Sequence, residues 1–204
     1  MVYDSMIFDL DGTMWSSAKN VFRAIKKMKE KHPEIRSFTQ EDCSSTMGFS
    51  NEQTRVFYFN EFPLEKGNEY CKEFLALITE DLMEKGGEVY SSVLKTLREL
   101  KKKYRLFIVS NCGHGFVESF MAQTGTEDLF EDYEYCARTG LEKGGNIRLI
   151  VKRNNLKNAV YVGDTLMDKK GAEEAGIDFI YAEYGFGKLQ EKNVIKDFSD
   201  LLKI

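Results

Sequence analysis

The second half of the chain alternates apolar segments with amphipathic ones, and this alternation constrains the fold most. Apolar residues recur at helical spacing in SVLKTLRELKKK, FVESFMAQTG, and residues 146–153 and 168–175. Between them lie short apolar segments typical of buried strands: RLFIVS, YEYCA, NAVYVGD and DFIYAE. Such alternation predicts right-handed crossovers and a parallel sheet covered by helices on both faces. The expected fold class is therefore α/β, with a Rossmann-like core.

The segment between residues 19 and 85 has a different pattern. It contains helical stripes but no convincing strand: Val21, Ile25 and Met28; Val56 and Phe59; and Cys71, Phe74, Leu75, Ile78 and Leu82. Both prolines of the chain lie inside it, at expected helix breaks. We therefore predict an all-helical domain over 16–86, inserted into a core formed by 1–15 and 87–204.

Polar side chains follow the predicted strands where each strand ends. Asp9 and Asp11 follow MIF, Ser110 and Asn111 follow LFIV, and Asp164 and Asp168 follow VYVG. Lys143 lies in a predicted loop after YEYCARTG. Ligands of parallel sheets bind beyond the carboxyl ends of the strands, so these residues are expected at one edge of the sheet.

Three carboxylates in one cleft would repel one another unless a divalent cation neutralised them. Asp9, Asp11 and Asp164 offer the hard oxygen ligands that suit Mg²⁺. Together with Lys143 and a hydroxyl group they could form a pocket for a phosphoryl group. Gly12 allows the sharp turn that would direct backbone amides and Thr13 toward its oxygens.

Composition excludes several other classes of function. The formal charge of −4 provides no general basic field for nucleic acid or an anionic membrane. The four cysteines include no Cys-x-x-Cys pair, which disfavours a zinc site and a dithiol redox site. No Gly-x-Ser-x-Gly or His-Glu-x-x-His sequence is present, and the acidic first twenty residues do not resemble a signal peptide. A cytoplasmic location is expected, and the oligomeric state is left open.

Four motifs together resemble those of the haloacid dehalogenase superfamily of phosphohydrolases. They are DLDGT at 9–13, SN at 110–111, Lys143 and GDTLMD at 163–168. The helical insert corresponds to the small cap domain of that family. The nearest general resemblance is to the phosphoglycolate phosphatase branch.

This resemblance implies a role for each matched residue. Asp9 would be the nucleophile that forms an aspartyl-phosphate, and Asp11 the general acid and base. The Asp9 and Asp164 carboxylates and the Asp11 carbonyl would bind Mg²⁺, with Asp168 orienting them. The remaining matched residues would contact the phosphoryl group or the substrate: Gly12, Thr13, Ser110, Asn111 and Lys143.

The expected function is hydrolysis of a small phosphorylated metabolite. Asp11 argues against dehalogenation, because a halide leaving group needs no proton. One alternative is a sugar phosphate mutase similar to beta-phosphoglucomutase, although Asn51 stands where such enzymes commonly have an arginine. The other alternative is a non-catalytic binding or regulatory module on the same fold.

Overall fold

A computed structural model of the protein describes residues 3–204. The chain divides into two compact units. The sheet unit consists of the chain up to Ser16 together with Val89–Ile204, and the helical unit is Ser17–Glu88. The helical unit thus begins one residue later and ends two residues later than the predicted insert.

The main sheet has six strands, and its recorded pairings are all parallel. The strand order is β5-β4-β1-β6-β7-β8. The strands of the chain are β1 Ser5–Phe8, β2 Trp15–Ser16, β3 Glu88–Val89, β4 Arg105–Ser110, β5 Phe130–Tyr135, β6 Ala159–Gly163, β7 Asp178–Ala182 and β8 Val194–Ile195. The predicted α/β fold class is confirmed.

Helices account for most of the remaining chain. Those of the helical unit are α1 Ala18–Lys31, α2 Gln40–Ser45, α3 Asn51–Phe59 and α4 Leu64–Lys85. Those of the sheet unit are α5 Val93–Leu100, α6 Phe116–Thr124, α7 Cys136–Thr139, α8 Lys143–Arg153, α9 Leu166–Ala175 and the 3-10 helix Phe198–Lys203. In the described part of the chain, no helix combines the length and apolar character needed to cross a bilayer.

The two faces of the sheet bury successive residues of β1. Ile7 is in register with Phe107 and Tyr161 and belongs to a core cluster with Ile147 of α8. Phe8 points to the opposite face, where its ring centroid lies 5.5 Å from that of Phe198. Because successive side chains of a strand point to opposite faces, a central strand covered on both faces is apolar throughout. This explains why Met6–Phe8 of β1 and the residues of β6 are mainly apolar.

Two local predictions around β5 are wrong. The segment YEYCA is not one strand, because β5 ends at Tyr135 and Cys136 begins α7. Lys143 does not lie in a loop but is the first residue of α8. Gly140, in the left-handed conformation, ends α7, and the extended backbone of Glu142 starts the next helix almost at once. The sequence pattern did not predict this helix start, because two glycines follow Lys143 and glycine disfavours helix formation.

The helical unit is built around α4. Its core contains aromatic side chains from α3 and α4, among them Tyr58, Phe59, Tyr70 and Phe74. Val56 was assigned to the buried stripe of α3 but is 44% exposed. Thr54 and Tyr58 occupy the buried face instead, and the hydroxyl groups of Tyr58 and Thr46 hydrogen-bond to each other at 2.9 Å inside the unit.

Candidate active site

The chain turns sharply after β1, and this turn places the first aspartate pair. The Asp9 amide still bonds to Val162 of β6 at 2.9 Å, so Asp9 extends the sheet. The Leu10 carbonyl then accepts hydrogen bonds from the amides three, four and five residues later. Asp11 is half-buried, and its backbone pairs with that of Trp15 in an isolated β-bridge inside this turn.

Gly12 is required in the turn for two reasons. Its φ of +90° lies in a region that side chains disfavour. In addition, a Cβ atom at this position would lie 2.2 Å from Oδ2 of Asp164. The turn therefore packs its backbone directly against the carboxylate that follows β6.

Three buried carboxylates meet at the carboxyl ends of β1 and β6. Asp9 is 5% exposed, and Asp164 and Asp168 are fully buried. One oxygen from each of the three lies within 4.8 Å of the others. The structure thus brings together residues separated by more than 150 positions, because β1 and β6 are neighbouring strands.

Asp168 is the most heavily bonded of the three. Its Oδ2 accepts hydrogen bonds from the Asp164 amide at 3.1 Å, the Thr165 amide at 2.8 Å and the Thr165 hydroxyl at 2.6 Å. Its Oδ1 accepts from Lys143 Nζ and, at 3.4 Å, from the Tyr161 hydroxyl. Thr165 and Asp168 also form the capping box of α9. Both oxygens of Asp168 are therefore engaged by the protein itself.

Lys143 supplies a buried positive charge between two of the carboxylates. Its Nζ bonds to Asp168 and lies 3.1 Å from Asp9 Oδ1. Burial alone would lower the pKa of Lys143, but the charges of Asp168 and Asp9 raise it above its ordinary value. Lys143 therefore stays protonated at neutral pH. One lysine cannot neutralise three carboxylates.

The Asp9 carboxylate is incompletely hydrogen-bonded by the described residues. Within residues 3–204, its buried Oδ1 has no hydrogen-bond partner, although Lys143 is at ion-pair distance. Burial and the nearby charge of Asp168 raise the pKa of Asp9 to about 7, and burial likewise raises the pKa of Asp164. Burying three carboxylates beside one lysine is costly. A small divalent cation fits this donor set, because hard oxygen atoms are its preferred ligands and its charge would stabilise both ionised groups.

A loop after β7 holds Asp164 in place, and the sequence analysis missed it. The Phe186 amide donates to Asp164 Oδ2 at 2.8 Å, and the Thr13 hydroxyl approaches Oδ1 at 3.4 Å. The Tyr184 hydroxyl donates to the Thr13 carbonyl at 2.8 Å. A Cβ atom on Gly185 would lie 2.3 Å from Cβ of Asp164. The alternating glycines of YGFG were the available signal of this close approach.

Tyr161 was also missed, and it lies beneath the site. Its hydroxyl donates to the Val109 carbonyl at 2.6 Å, and the Lys143 ammonium lies 5.9 Å from its ring centroid. Tyr161 therefore links β6 to β4 under the carboxylates. Nothing in the sequence distinguished Tyr161 as a site residue, because a tyrosine in an apolar strand is normally a core residue.

Ser110 is the last residue of β4, the other neighbour of β1, and Asn111 follows it. Ser110 is buried and hydrogen-bonds with Cys112. Burial raises the pKa of the Cys112 thiol, so this cysteine is uncharged. The Asn111 side-chain carbonyl accepts a hydrogen bond from Cys136 Sγ at 2.9 Å, which ties the ends of β4 and β5 together.

Comparisons with known proteins agree with this geometry. A family model described as haloacid dehalogenase-like hydrolase matches residues 6–182. No curated protein matches the chain. Among solved structures, the chain is similar to a haloacid dehalogenase-like family hydrolase from Streptococcus pneumoniae, with 18% identity, 98% and 97% coverage of the two chains and a TM-score of 0.86.

Two further solved structures have the same fold. A predicted phosphoglycolate phosphatase from Haemophilus somnus is 19% identical, with 98% of this chain and 97% of that chain covered and a TM-score of 0.84. A predicted phosphatase from Clostridium acetobutylicum is 21% identical, with 100% and 98% covered and a TM-score of 0.82. The TM-scores show that these proteins share the fold of this chain, and at such low sequence identity the similarity establishes the fold alone.

Proposed function

This chain belongs to the haloacid dehalogenase-like hydrolase family, and we propose that it is a Mg²⁺-dependent phosphatase acting on a small phosphorylated metabolite. The observation that carries the proposal is the buried Oδ1 of Asp9, which lies at the carboxylate cluster 3.1 Å from the ammonium of Lys143. A nucleophile needs a free oxygen atom, and a transferred phosphoryl group needs positive charge beside it. The descriptions of two similar structures as predicted phosphatases support the same reaction.

In the first proposed step, an Asp9 oxygen attacks phosphorus and the bond from phosphorus to the leaving oxygen breaks. Asp11 donates its proton to that oxygen, so the leaving group departs as a neutral alcohol. The product on the enzyme is an aspartyl-phosphate. The Lys143 ammonium, held by Asp168, would offset the charge on the phosphoryl oxygens.

In the second proposed step, the Asp11 carboxylate takes a proton from a water molecule, and the water oxygen attacks phosphorus. The bond between phosphorus and Asp9 then breaks, which restores the Asp9 carboxylate and releases inorganic phosphate. Gly12, Thr13, Ser110 and Asn111 remain the proposed contacts of the phosphoryl group and the substrate.

Asp9 and Asp164 are the side chains proposed to hold Mg²⁺, with the carbonyl of Asp11. Asp168 is proposed to orient the cluster rather than to bind the ion, because both its oxygens already accept hydrogen bonds. When bound, the ion would supply positive charge for the carboxylates and the phosphoryl group. The proposal that the helical unit acts as a cap over the substrate rests on the family resemblance.

The test is hydrolysis of p-nitrophenyl phosphate with Mg²⁺ by wild type and Asp9→Asn. We expect Asp9→Asn to lower kcat/KM by roughly 1,000-fold or more, because the nucleophile is lost. The matched control is Asp128→Asn, which removes an exposed carboxylate from the sheet unit and should leave kcat/KM unchanged. Equal activity of wild type and Asp9→Asn would overturn the proposal.

A further inference from the structure

The segment that leads into Lys143 has few local features that fix its conformation. α8 begins at Lys143, and in the described chain the side chain of Glu142, the residue before it, makes no hydrogen bond that caps the helix. Gly144 and Gly145 follow directly, and glycine is the least restricted residue of a polypeptide chain. Lysine itself has a long, flexible side chain. Contacts from outside the first turn of α8 must therefore fix where the Lys143 ammonium lies.

A ring of hydrogen bonds holds this segment at Leu141, two residues before Lys143. The Leu141 amide donates to the Thr139 hydroxyl at 3.1 Å. That hydroxyl donates to Oδ1 of Asn146 at 2.7 Å. Nδ2 of Asn146 in turn donates to the Leu141 carbonyl at 3.1 Å. The Asn146 side chain is thus connected to both backbone polar groups of Leu141, to the carbonyl directly and to the amide through Thr139.

Asn146 closes this ring from inside the protein. Its side chain is fully buried, and both ends of its amide group are hydrogen-bonded within the ring. A buried amide group that lost these partners would be costly, so Asn146 favours this one arrangement of Thr139 and Leu141. The backbone amide of Asn146 also donates to the Glu142 carbonyl at 3.1 Å. The ring therefore joins the loop before α8 to the turn that carries Lys143.

Cys136 extends the ring to the end of β4. Its Sγ lies 2.9 Å from the Leu141 carbonyl and 2.9 Å from Oδ1 of Asn111, so the thiol bridges the two oxygen atoms. Burial raises the pKa of Cys136, so the thiol keeps its proton at neutral pH. Asn111 directly follows Ser110, which together with Lys143 is a proposed contact of the phosphoryl group. The network thus connects the two segments that carry these contacts.

The side chain of Lys143 has little free space beside α9. A Cβ atom on Gly171 would lie 3.1 Å from Cγ of Lys143 and 3.3 Å from the backbone nitrogen of Gly144. The stem of Lys143 therefore lies directly on α9, and its ammonium reaches Asp168 and, at 3.1 Å, Asp9. Because the stem is confined in this way, a shift of the start of α8 would move the ammonium with it.

We propose that Thr139 and Asn146 are positioning residues, which hold the Lys143 ammonium where it meets the phosphoryl oxygens. This inference rests on the proposed phosphatase function, because that function assigns Lys143 to the phosphoryl group. Thr139 and Asn146 act through the start of α8 and do not contact the substrate. A misplacement of about 1 Å can lower a rate by about 100-fold, so even a partial loosening of the ring should be measurable.

The test removes the hydroxyl group of Thr139. Thr139→Val keeps the shape of the side chain but breaks the link between Leu141 and Asn146, whereas Thr139→Ser keeps the hydroxyl. With p-nitrophenyl phosphate and Mg²⁺, we expect Thr139→Val to lower kcat/KM by about tenfold and to raise the Ki of inorganic phosphate by about threefold. Thr139→Ser should stay close to wild type in both values. Ki does not depend on the amount of active enzyme, so partial unfolding alone would leave it unchanged.

Asn146→Asp tests the other side of the ring. The aspartate can still accept from Thr139, but it places an acceptor instead of a donor beside the Leu141 carbonyl. It should raise the Ki of inorganic phosphate at least as much as Thr139→Val does.

Thr124→Val is the matched control. Thr124 is half-buried like Thr139 and lies in the same unit, and its hydroxyl bonds to the Phe120 carbonyl at 2.6 Å and to the Thr126 hydroxyl at 2.8 Å. Its replacement removes a hydrogen-bonded hydroxyl group that is remote from Lys143 in the sequence and outside the ring. Thr124→Val should leave kcat/KM and Ki unchanged.

A binding measurement separates this inference from the proposed reaction. An NMR titration of the ¹⁵N-labelled full chain with inorganic phosphate, in the presence of Mg²⁺, requires no turnover. If wild type binds phosphate without hydrolysing the ester, and Thr139→Val weakens that binding, the proposed reaction is wrong and the role of the ring stands. Equal phosphate affinity of wild type and Thr139→Val, an equal loss in Thr139→Ser or Thr124→Val, or no binding of phosphate by wild type would overturn the inference.

Discussion

At the scale of single residues, the three buried aspartates differ in how far the protein satisfies them. Asp168 accepts hydrogen bonds from Asp164, Thr165, Tyr161 and Lys143, whereas Asp9 retains an oxygen without any hydrogen-bond partner in the described chain. This difference is the reason why Asp9 is proposed to attack phosphorus and to bind the metal ion, whereas Asp168 is proposed to orient its neighbours. Residue type alone does not make this distinction.

Asp168→Asn tests the orienting role. Asparagine can still accept the amide hydrogen bonds that cap α9, but it removes the charge that holds Lys143. We expect kcat/KM for p-nitrophenyl phosphate to fall by roughly 10- to 100-fold and the Mg²⁺ concentration for half-maximal activity to rise. Unchanged activity and Mg²⁺ dependence would contradict this role. Asp128→Asn again serves as the control.

Gly185→Ala tests the close approach of the loop after β7 to Asp164. The added Cβ atom would lie 2.3 Å from Cβ of Asp164, so the loop or the carboxylate must move. We expect most activity to be lost. Gly140→Ala is the control: its Cβ atom would meet nothing within 4 Å, although its φ is +71°. Gly140→Ala should cost about 1 kcal/mol in urea unfolding and keep its kcat. Equal activity of the two variants would contradict the prediction.

At the scale of elements, the start of α9 belongs to the site as well as to the helix. The Thr165 hydroxyl accepts from the Asp168 amide at 3.3 Å and donates to its carboxylate at 2.6 Å. A similar capping box starts α2, where Thr39 and Asp42 make the equivalent contacts. The two boxes provide a comparison between a cap inside the site and one in the helical unit.

Thr165→Ala should reduce both stability and activity. Loss of the helix cap should lower the free energy of unfolding by about 1 kcal/mol. Asp168 would also lose the hydrogen bond that the Thr165 hydroxyl donates to it, which should lower kcat. Thr39→Ala should show a similar loss of stability with kcat preserved. Urea unfolding and p-nitrophenyl phosphate hydrolysis measure the two effects. An equal fall in kcat in both variants would show that the Thr165 cap has no special connection to the site.

In the helical unit, Asp81 joins the beginning of α1 to the end of α4. It is fully buried and accepts hydrogen bonds from Asn20 at 3.0 Å, Arg23 at 2.8 Å and Lys85 at 2.9 Å. Burial alone would raise the pKa of Asp81, but Arg23 and Lys85 hold it below its ordinary value of 3.8. A lowered pKa in the folded state means that ionised Asp81 stabilises the fold.

Asp81→Asn should therefore destabilise the protein at pH 7, by about 3 kcal/mol, the low end for a broken buried ion pair. The stabilisation by ionised Asp81 is present above pH 3.8 and is lost as the pH falls below it, so the difference between wild type and variant should shrink at pH 3. Urea unfolding at the two pH values measures this. Glu80→Gln, an exposed neighbour, is the control and should match wild type at pH 7. A difference that stays constant with pH would contradict the assignment.

At the scale of the whole molecule, the proposed metal binding by the carboxylate cluster would increase the stability of the fold. Without a cation, the fold must bury Asp9, Asp164 and Asp168 beside a single lysine. Any ion that binds the folded chain and not the unfolded one stabilises it. The free energy of unfolding of the entire protein should therefore be lower without the ion than with it.

Mg²⁺ should raise the melting temperature. At a Mg²⁺ concentration of 100 times its Kd, the free energy of unfolding should increase by about 2.7 kcal/mol. The increase should be larger at pH 8 than at pH 5.5, because protons compete for Asp9, whose pKa is raised to about 7 by burial and Asp168. Calorimetry with Mg²⁺ and with EDTA measures it. Asp164→Asn should abolish the increase, whereas Asp128→Asn should keep it. The same Mg²⁺ effect in wild type and Asp164→Asn would rule out this site as the cause.

The sequence by itself determined the fold class and the positions of the polar residues along it. Alternating apolar segments specify a parallel sheet, since only that arrangement buries such strands on both faces. Residues that follow β1 and β6 then lie at the same sheet edge, which is how Asp9 and Asp164 could be paired from the sequence. Each of these inferences depends on local pattern and on strand adjacency.

The tertiary structure alone decided which atoms are satisfied and which are left free. Lys143 reaches Asp9 from the first turn of α8, and Phe186 donates its amide hydrogen bond to Asp164. These contacts join segments that are distant along the chain, and their geometry depends on how close-packed elements settle against one another. Periodicity and motif spacing carry no information about such distances, so the surroundings of the Asp9 carboxylate became visible only in the folded chain.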